Sequence, residues 1–221
     1  MKIFVVLPVF NEEKHILNVL DEVSKVNFPL VLIDDGSSDN TILKLRQYKK
    51  RGLHILSHKI NLGKGAALKT GCEYAFSIGA DAVILMDSDG QHSANDIDKF
   101  INKLNQGYEI VFGSRNLDFG VPFDRYVGNK INSVLINVLF GIYISDILCG
   151  FRAITKKAYQ KITWKSLGYA VETEMVLRTK KMNLKYCEVP VSTIYYDSFK
   201  GVSILDAFGV LMKIIGWKFK L

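Results

Sequence analysis

The chain has 221 residues, 48% of them hydrophobic and 23% charged, which excludes a disordered chain and suits one large globular domain with a substantial core. The formal net charge of +7 is unevenly placed: residues 1–99 hold 12 basic and 13 acidic side chains, residues 100–221 hold 17 and 9. A basic second half suits a phosphorylated substrate, anionic headgroups or a merely solvated surface, while three scattered cysteines (Cys72, Cys149, Cys187) exclude a disulfide framework or zinc site and fit reduced thiols in a cytoplasm.

The opening "MKIFVVLPVFNEE" predicts a first strand over residues 3–7, its apolar run being too short and lacking the cleavage site of a signal peptide. A helix follows over 12–25, then a strand over 30–34 that runs into "DDGSSDNT". There Asp35-Gly36-Ser37 supplies turn chemistry, Asp39 or Asn40 caps a helix over 41–50, and Asp34, ending the apolar run, is an acceptor suited to a base edge or ribose hydroxyl. After a strand over 54–57, "NLGKGAAL" resembles a small phosphate loop: its glycines allow close backbone approach and Lys64 brings charge, although P-loop and Rossmann spacings are missing. A helix over 65–78, a strand over 82–86, the cluster "MDSDGQH", a helix over 95–105 and a strand over 109–112 complete the pattern.

Short strands alternating with amphipathic helices predict an α/β fold, a mostly parallel sheet with helices on its faces. Such sheets bind ligands at the carboxyl ends of their strands, where "PVFNEE", "DDGSSDNT" and "MDSDGQH" all fall. Asp87 and Asp89, separated by Ser88, can converge on a hard cation such as Mg²⁺ or Mn²⁺, with Gln91 and His92 close by. A turn and helix cap around Ser93 and Asn95 is the competing reading. His15, His54 and His58 read as structural or solvent-facing.

In order, "LPVFNEE", "LIDDGSSDNT", "NLGKGAAL", "MDSDGQH", "FGSR", "DILCGFRA" and "VETEM" resemble the motifs of family 2 glycosyltransferases, and within them the polyprenyl-phosphate (dolichyl-phosphate) sugar synthase group, from Ile3 to about Tyr196. The resemblance implies a GT-A (nucleotide-diphospho-sugar transferase) fold and a nucleotide-sugar donor, a UDP- or GDP-hexose. It also implies a divalent cation held by Asp87 and Asp89 with Gln91 as third ligand, and inversion at the anomeric carbon. Pro8, Phe10, Glu12 and Asp35 would line the nucleotide pocket, beside Asp34, Lys64 and Ser88.

The acceptor so implied is a lipid phosphate, already ionised near neutral pH, so cations matter more than a catalytic base. Arg115, Arg125, Arg152 and Lys200 are the candidates, the family pattern favouring Arg115 and Arg152 as catalytic groups beside Asp89. An Asp146–Arg152 ion pair and a solvated Arg125 are the plain alternatives. Asp146, Glu172 and Ser203 join the acceptor set, and Glu172 or Asp146 would be the base if the acceptor were a saccharide or soluble hydroxyl. "YYDSFKGVS" departs from the mannose synthases and leaves a glucose-type donor open.

We therefore expect one domain: a nucleotide- and metal-binding half to about residue 115, an acceptor half over about 116–200, and a basic amphipathic helix over 201–221 at a membrane surface. Residues 131–144 read either as a second membrane-facing segment or as a core helix, and their neighbourhood is too short and polar to span a bilayer. Trp217 and Phe219 among lysines read as an interfacial anchor. Peripheral attachment at the cytoplasmic face, or a separate membrane partner, follows; no nucleic-acid motif is present.

Overall fold

The structure, a computed structural model, describes residues 1–115, 123–192, 213–214 and 216–218, with the backbone alone for 123–127. Seven strands, β1 (Ile3–Val9), β2 (Leu30–Asp34), β3 (Leu53–Ser57), β4 (Ala82–Leu85), β5 (Ile110–Arg115), β6 (Arg152–Thr155) and β7 (Tyr186–Val191), form one sheet in the order β3-β2-β1-β4-β6-β5-β7. All pairings are parallel except those of β6, which runs antiparallel between β4 and β5.

Alternation along the strands sorts the core into two layers. Phe4, Val6, Val31, Ile33, Val83 and Leu85 face α3 (Lys64–Ser77) and the helices of the second half. Val5, Leu7, Leu30, Leu32 and Ile84 face α1 (Ile16–Ser24), α2 (Thr41–Gln47) and α4 (Ile97–Asn105), the last entered through a 3₁₀ turn at Ala94–Asp96. Both faces are covered, which explains the nearly uninterrupted apolar strands.

The chain leaves β1 toward β2 and β3 on one side and returns to β4 on the other, so the topological switch lies between the C-terminal ends of β1 and β4. The hydroxyl of Ser88 donates to the Pro8 carbonyl at 2.8 Å across that gap.

The second half adds α5 (Phe123–Phe140), α6 (Lys156–Ile162) and α7 (Val171–Lys181). Sequence periodicity missed β6 and β7, and α1 starts later than expected, at Ile16, because the Glu12 carbonyl first receives the amides of His15 and Ile16 in a turn. Of residues 131–144, read as a membrane-facing segment or a core helix, those in α5 bury one side (Ser133, Ile136) and leave the other (Ile131, Val134, Val138) exposed. In the tail, read as an interfacial anchor, Ile214 is fully buried and Trp217 packs against the core cluster, while Phe219 lies outside the described residues. Among the described residues no helix is long and apolar enough to cross a membrane. At the sheet edge, Arg46, Lys49, Lys50 and Arg51 line a shallow groove beside β3.

The start of α3 is pressed against the segment before α7. A Cβ at Gly65 would lie 2.1 Å from the Ser166 carbonyl oxygen, whereas one at Gly168 would meet nothing. Gly65→Ala should destabilise the fold by about 1–3 kcal/mol in denaturant unfolding, with Gly168→Ala as the tolerated control; equal midpoints for the two would contradict this packing.

Candidate active site

The loops after β1 and β2 are laced together. Asn11, at φ 52°, donates its amide to Ser37 Oγ (2.9 Å) and accepts the Ser38 amide at Oδ1 (2.8 Å), while the Glu12 amide donates to Thr41 Oγ1 (2.9 Å). Asp39 Oδ1 receives the Thr41 amide at 3.0 Å as α2 begins. Phe10 stands exposed above these loops, Pro8 is half-buried beneath, and Glu12 is buried. Asp34 is buried at the end of β2 and accepts the Ser37 amide at 3.3 Å.

Asp35 was expected to line the nucleotide pocket, but its carboxylate is engaged within the protein. Oδ1 meets His58 Nδ1 at 2.7 Å and the Leu62 amide at 3.0 Å, and Oδ2 takes the Gly63 amide at 2.8 Å. His58 Nε2 lies 3.0 Å from Thr70 Oγ1. Asp35 therefore holds the loop that presents Lys64. His58 was set aside in the sequence because it lacks metal spacing; its place directly after β3 is the signal that links it to the other strand-end clusters.

Lys64 joins three elements. Its Nζ lies 2.6 Å from Asp87 Oδ1, after β4, and 2.7 Å from Glu172 Oε1, at the start of α7. Burial disfavours the ammonium, but the two carboxylates outweigh that and raise its pKa above the ordinary lysine value. Burial likewise pushes the Asp87 carboxyl up, and Lys64 with His92 outweighs it, holding Asp87 below the usual carboxylate range. His92 Nε2 is 3.7 Å from Asp87 Oδ2. Gly150 leaves room for this group, since a Cβ there would sit 2.3 Å from Asp87 Oδ2.

Asp89 behaves oppositely. Burial first, and then the Asp87 charge, raise its pKa, although Oδ1 accepts the Gln91 amide at 2.9 Å. Two neighbouring carboxylates of which one is disfavoured by the other constitute an unmet demand for positive charge. Among the described residues no three His, Cys, Asp or Glu side chains gather into a metal cage. Two carboxylates supplemented by phosphate oxygens and water nevertheless fit Mg²⁺ or Mn²⁺, and the ammonium already at Asp87 shows that a cation is accommodated there.

Arg115 ends β5 and pairs two-pronged with Asp146, Nε to Oδ2 at 2.7 Å and Nη2 to Oδ1 at 3.0 Å, while Asn129 Nδ2 donates to Oδ1 at 2.9 Å. Burial disfavours the Asp146 anion, but Arg115 outweighs it and holds the carboxyl below its usual value. The partner of Asp146 is thus Arg115 rather than the nearby Arg152.

Arg152, expected as a phosphate contact, is the clearest correction. It is 1% exposed and donates to the carbonyls of Cys149 (2.9 Å), Ile147 (2.5 Å) and Glu172 (2.7 Å), with its guanidinium 5.1 Å from the Phe112 ring centroid. Burial lowers its pKa. It braces the segment between Asp146 and α7, a role that a buried arginine plays without touching substrate. Glu172 is likewise buried on Lys64, with Oε2 enclosed and unpaired. The Arg125 side chain, Lys200 and Ser203 lie outside the described residues. His92, noted in the sequence beside the carboxylate pair, joins the site at Asp87, and Gly150 and Asn129 complete it without having been singled out.

Comparison with known proteins adds a family. The model described as glycosyl transferase family 2 matches residues 4–163. An uncharacterized protein of Methanocaldococcus jannaschii is 35% identical, the match covering 97% of this chain and 91% of that protein. A UDP-N-acetylglucosamine–dolichyl-phosphate N-acetylglucosaminyltransferase of Methanococcus voltae is 31% identical over 96% of this chain and 94% of its own. Glucosyl-3-phosphoglycerate synthase from Mycobacterium tuberculosis, solved with Mn²⁺, uridine diphosphate and phosphoglyceric acid, superposes with a TM-score of 0.77 at 19% identity, over 98% of this chain and 78% of that one. The GT-A-like fold is thereby shown.

Because the folded Asp146 titrates below its unfolded value of about 3.9, its stabilisation is present above that pH and is lost as pH falls through the folded value. Asp146→Asn should cost about 3 kcal/mol at pH near 7, a gap that narrows below pH about 4. Denaturant unfolding at both pH values measures it; a gap unchanged by acid would show that the charge is not what holds Arg115.

Proposed function

The chain belongs to glycosyl transferase family 2, and from that premise we propose that it moves a hexose unit from a nucleoside-diphosphate sugar to a polyprenyl (dolichyl-type) phosphate, with inversion at the anomeric carbon. The observation that carries this reading is the pairing pattern of the site. Asp146 is held as an anion by Arg115 and Glu172 Oε1 lies on Lys64, so these carboxylates serve the cations rather than waiting for a hydroxyl proton. An acceptor that is already an anion needs such cations and no base. The dolichyl-phosphate acceptor in the name of the Methanococcus voltae relative agrees.

In this reading the donor nucleoside rests between the loops after β1 and β2, near Pro8, Phe10, Glu12 and Asp34. Asp87, Asp89 and Gln91 would hold a Mg²⁺ or Mn²⁺ ion, which supplies positive charge to the departing diphosphate. Lys64 extends that neutralisation from the other side of Asp87. An acceptor phosphate oxygen attacks the anomeric carbon opposite the leaving group; the new C–O bond forms as the bond to the β-phosphate oxygen breaks, and the electron pair leaves on the diphosphate. Arg115, kept ionised and aimed by Asp146, orients the acceptor phosphate, while Arg152 keeps the segment carrying Asp146 in place. Work on a lipid acceptor puts the protein at the cytoplasmic face of a membrane, attached peripherally or through a membrane partner.

The unpaired Glu172 Oε2 supports a second reading, a saccharide hydroxyl acceptor with Glu172 as base.

Mass spectrometry of products from UDP- and GDP-sugars, Mg²⁺ or Mn²⁺ and polyprenyl phosphate should reveal a glycosylated lipid phosphate. Chelation of the metal should abolish it, and Asp89→Ala should lower the rate at least roughly a hundredfold. Transfer to a saccharide with none to the lipid would favour the Glu172 reading. For Arg115→Lys we expect a loss of about tenfold or more with the donor KM little changed, since a two-pronged contact is replaced by a point charge.

A further inference from the structure

Glu188 is a charged residue inside a parallel strand, where apolar side chains are the rule. β7 is held to β5 by backbone pairing from Ile110 and Tyr186 to Arg115 and Val191, with Glu188 opposite Phe112. The Glu188 side chain turns to the segment before β6 instead. Its Oε1 accepts the Ser145 amide at 2.8 Å and the Ser145 hydroxyl at 2.6 Å. A half-buried carboxylate is costly unless well partnered, and these two short bonds go to a single residue.

The Ser145 hydroxyl carries the contact further. Its hydrogen goes to the carboxylate, which only accepts, so its oxygen is the acceptor for the Ser114 hydroxyl 2.6 Å away. Ser114 precedes Arg115 at the end of β5, and Ser145 precedes Asp146. The serine contact and the Arg115–Asp146 pair are therefore adjacent rungs, each joining residues 31 apart. The Arg115 amide adds a bond to Asp146 Oδ2 at 3.2 Å, and Ser133 Oγ of α5 lies 3.5 Å from the Ser145 carbonyl. Ser145 is fixed at its amide, hydroxyl and carbonyl, and the position of Asp146 follows from it.

The pair so placed has unlike members: the Arg115 side chain is 23% exposed and that of Asp146 0%. One orients, and the other keeps an open side. A shift in the enclosed carboxylate is passed to the guanidinium, because a two-pronged contact couples their planes.

We propose that Glu188 is a positioning residue for the Arg115–Asp146 pair, setting through Ser145 and Ser114 the angle at which the guanidinium meets the acceptor phosphate. The proposal rests on the reading above for what Arg115 meets, and on geometry alone for what holds Arg115.

Side-chain NMR of protein labelled with ¹⁵N-arginine tests the hold directly, the Arg115 Nε–H signal being identified by its loss in Arg115→Lys. Glu188→Ala should speed exchange of that hydrogen with water at least roughly tenfold. Glu188→Gln, which keeps an accepting oxygen, should stay within about threefold of the parent. Ser145→Ala, which leaves the strand untouched, should shift the exchange in the same direction, so the test survives a Glu188→Ala protein that does not fold. In transfer assays Glu188→Ala should raise the KM for polyprenyl phosphate about tenfold and leave the donor KM within about twofold. An Arg115 signal unchanged in Glu188→Ala and Ser145→Ala, a Glu188→Gln protein no better than Glu188→Ala, or donor and acceptor KM values moved alike would each overturn the proposal. A faster-exchanging Arg115 with the acceptor KM unchanged would support the hold of Glu188 on the pair while removing Arg115 from the acceptor site.

Discussion

The ammonium of Lys64 is the point on which the arrangement of the site depends. It ties the end of β4, through Asp87, to the start of α7, through Glu172, and itself opens α3. Three elements far apart in the chain are thereby fixed by one cation with two short contacts. Neither carboxylate would be comfortable there alone, because each is enclosed and at least one has a like-charged neighbour. The Asp35 carboxylate gathers the loop before Lys64 from below, and Gly65 lets that loop approach the Ser166 carbonyl.

A second ion pair organises the other side. Arg115 and Asp146 join the end of β5 to the segment before β6, and Asn129 extends the pair into α5. The reversed direction of β6 makes this possible: it enters the sheet beside β4 from the active-site end, so the residues leading into it pass over the carboxyl ends of both β4 and β5. Arg152, at its first position, braces three carbonyls of the neighbouring segments. Carboxylates and cations from both parts of the chain thus pair at one end of the sheet, Lys64 with Asp87 and Glu172 and Arg115 with Asp146.

Much of this was legible in the residues. The first four strands announce themselves as apolar runs with polar clusters after them, because a strand covered on both faces has no other composition available. β7 was hidden by Pro190 and Glu188, which an edge-side strand paired on one flank tolerates. β6 was hidden by Arg152, whose charge reads as a ligand contact until its burial is known. Pairing partners were equally opaque: Asp146 stands near Arg152 in sequence, yet meets Arg115, 31 residues away. Among the histidines, His58 carries no motif, and only the fold brings it to Asp35.

The groove beside β3 bears on how the molecule behaves in a crowd. β3 is an outer strand whose free edge could template another chain, and Arg46, Lys49, Lys50 and Arg51 crowd the loop that leads into it. An incoming β-strand edge from a second copy would meet the same four cations, so edge-to-edge growth is opposed before hydrogen bonds can form. The charge that begins as a surface detail thus opposes edge-to-edge association at the end of the described sheet.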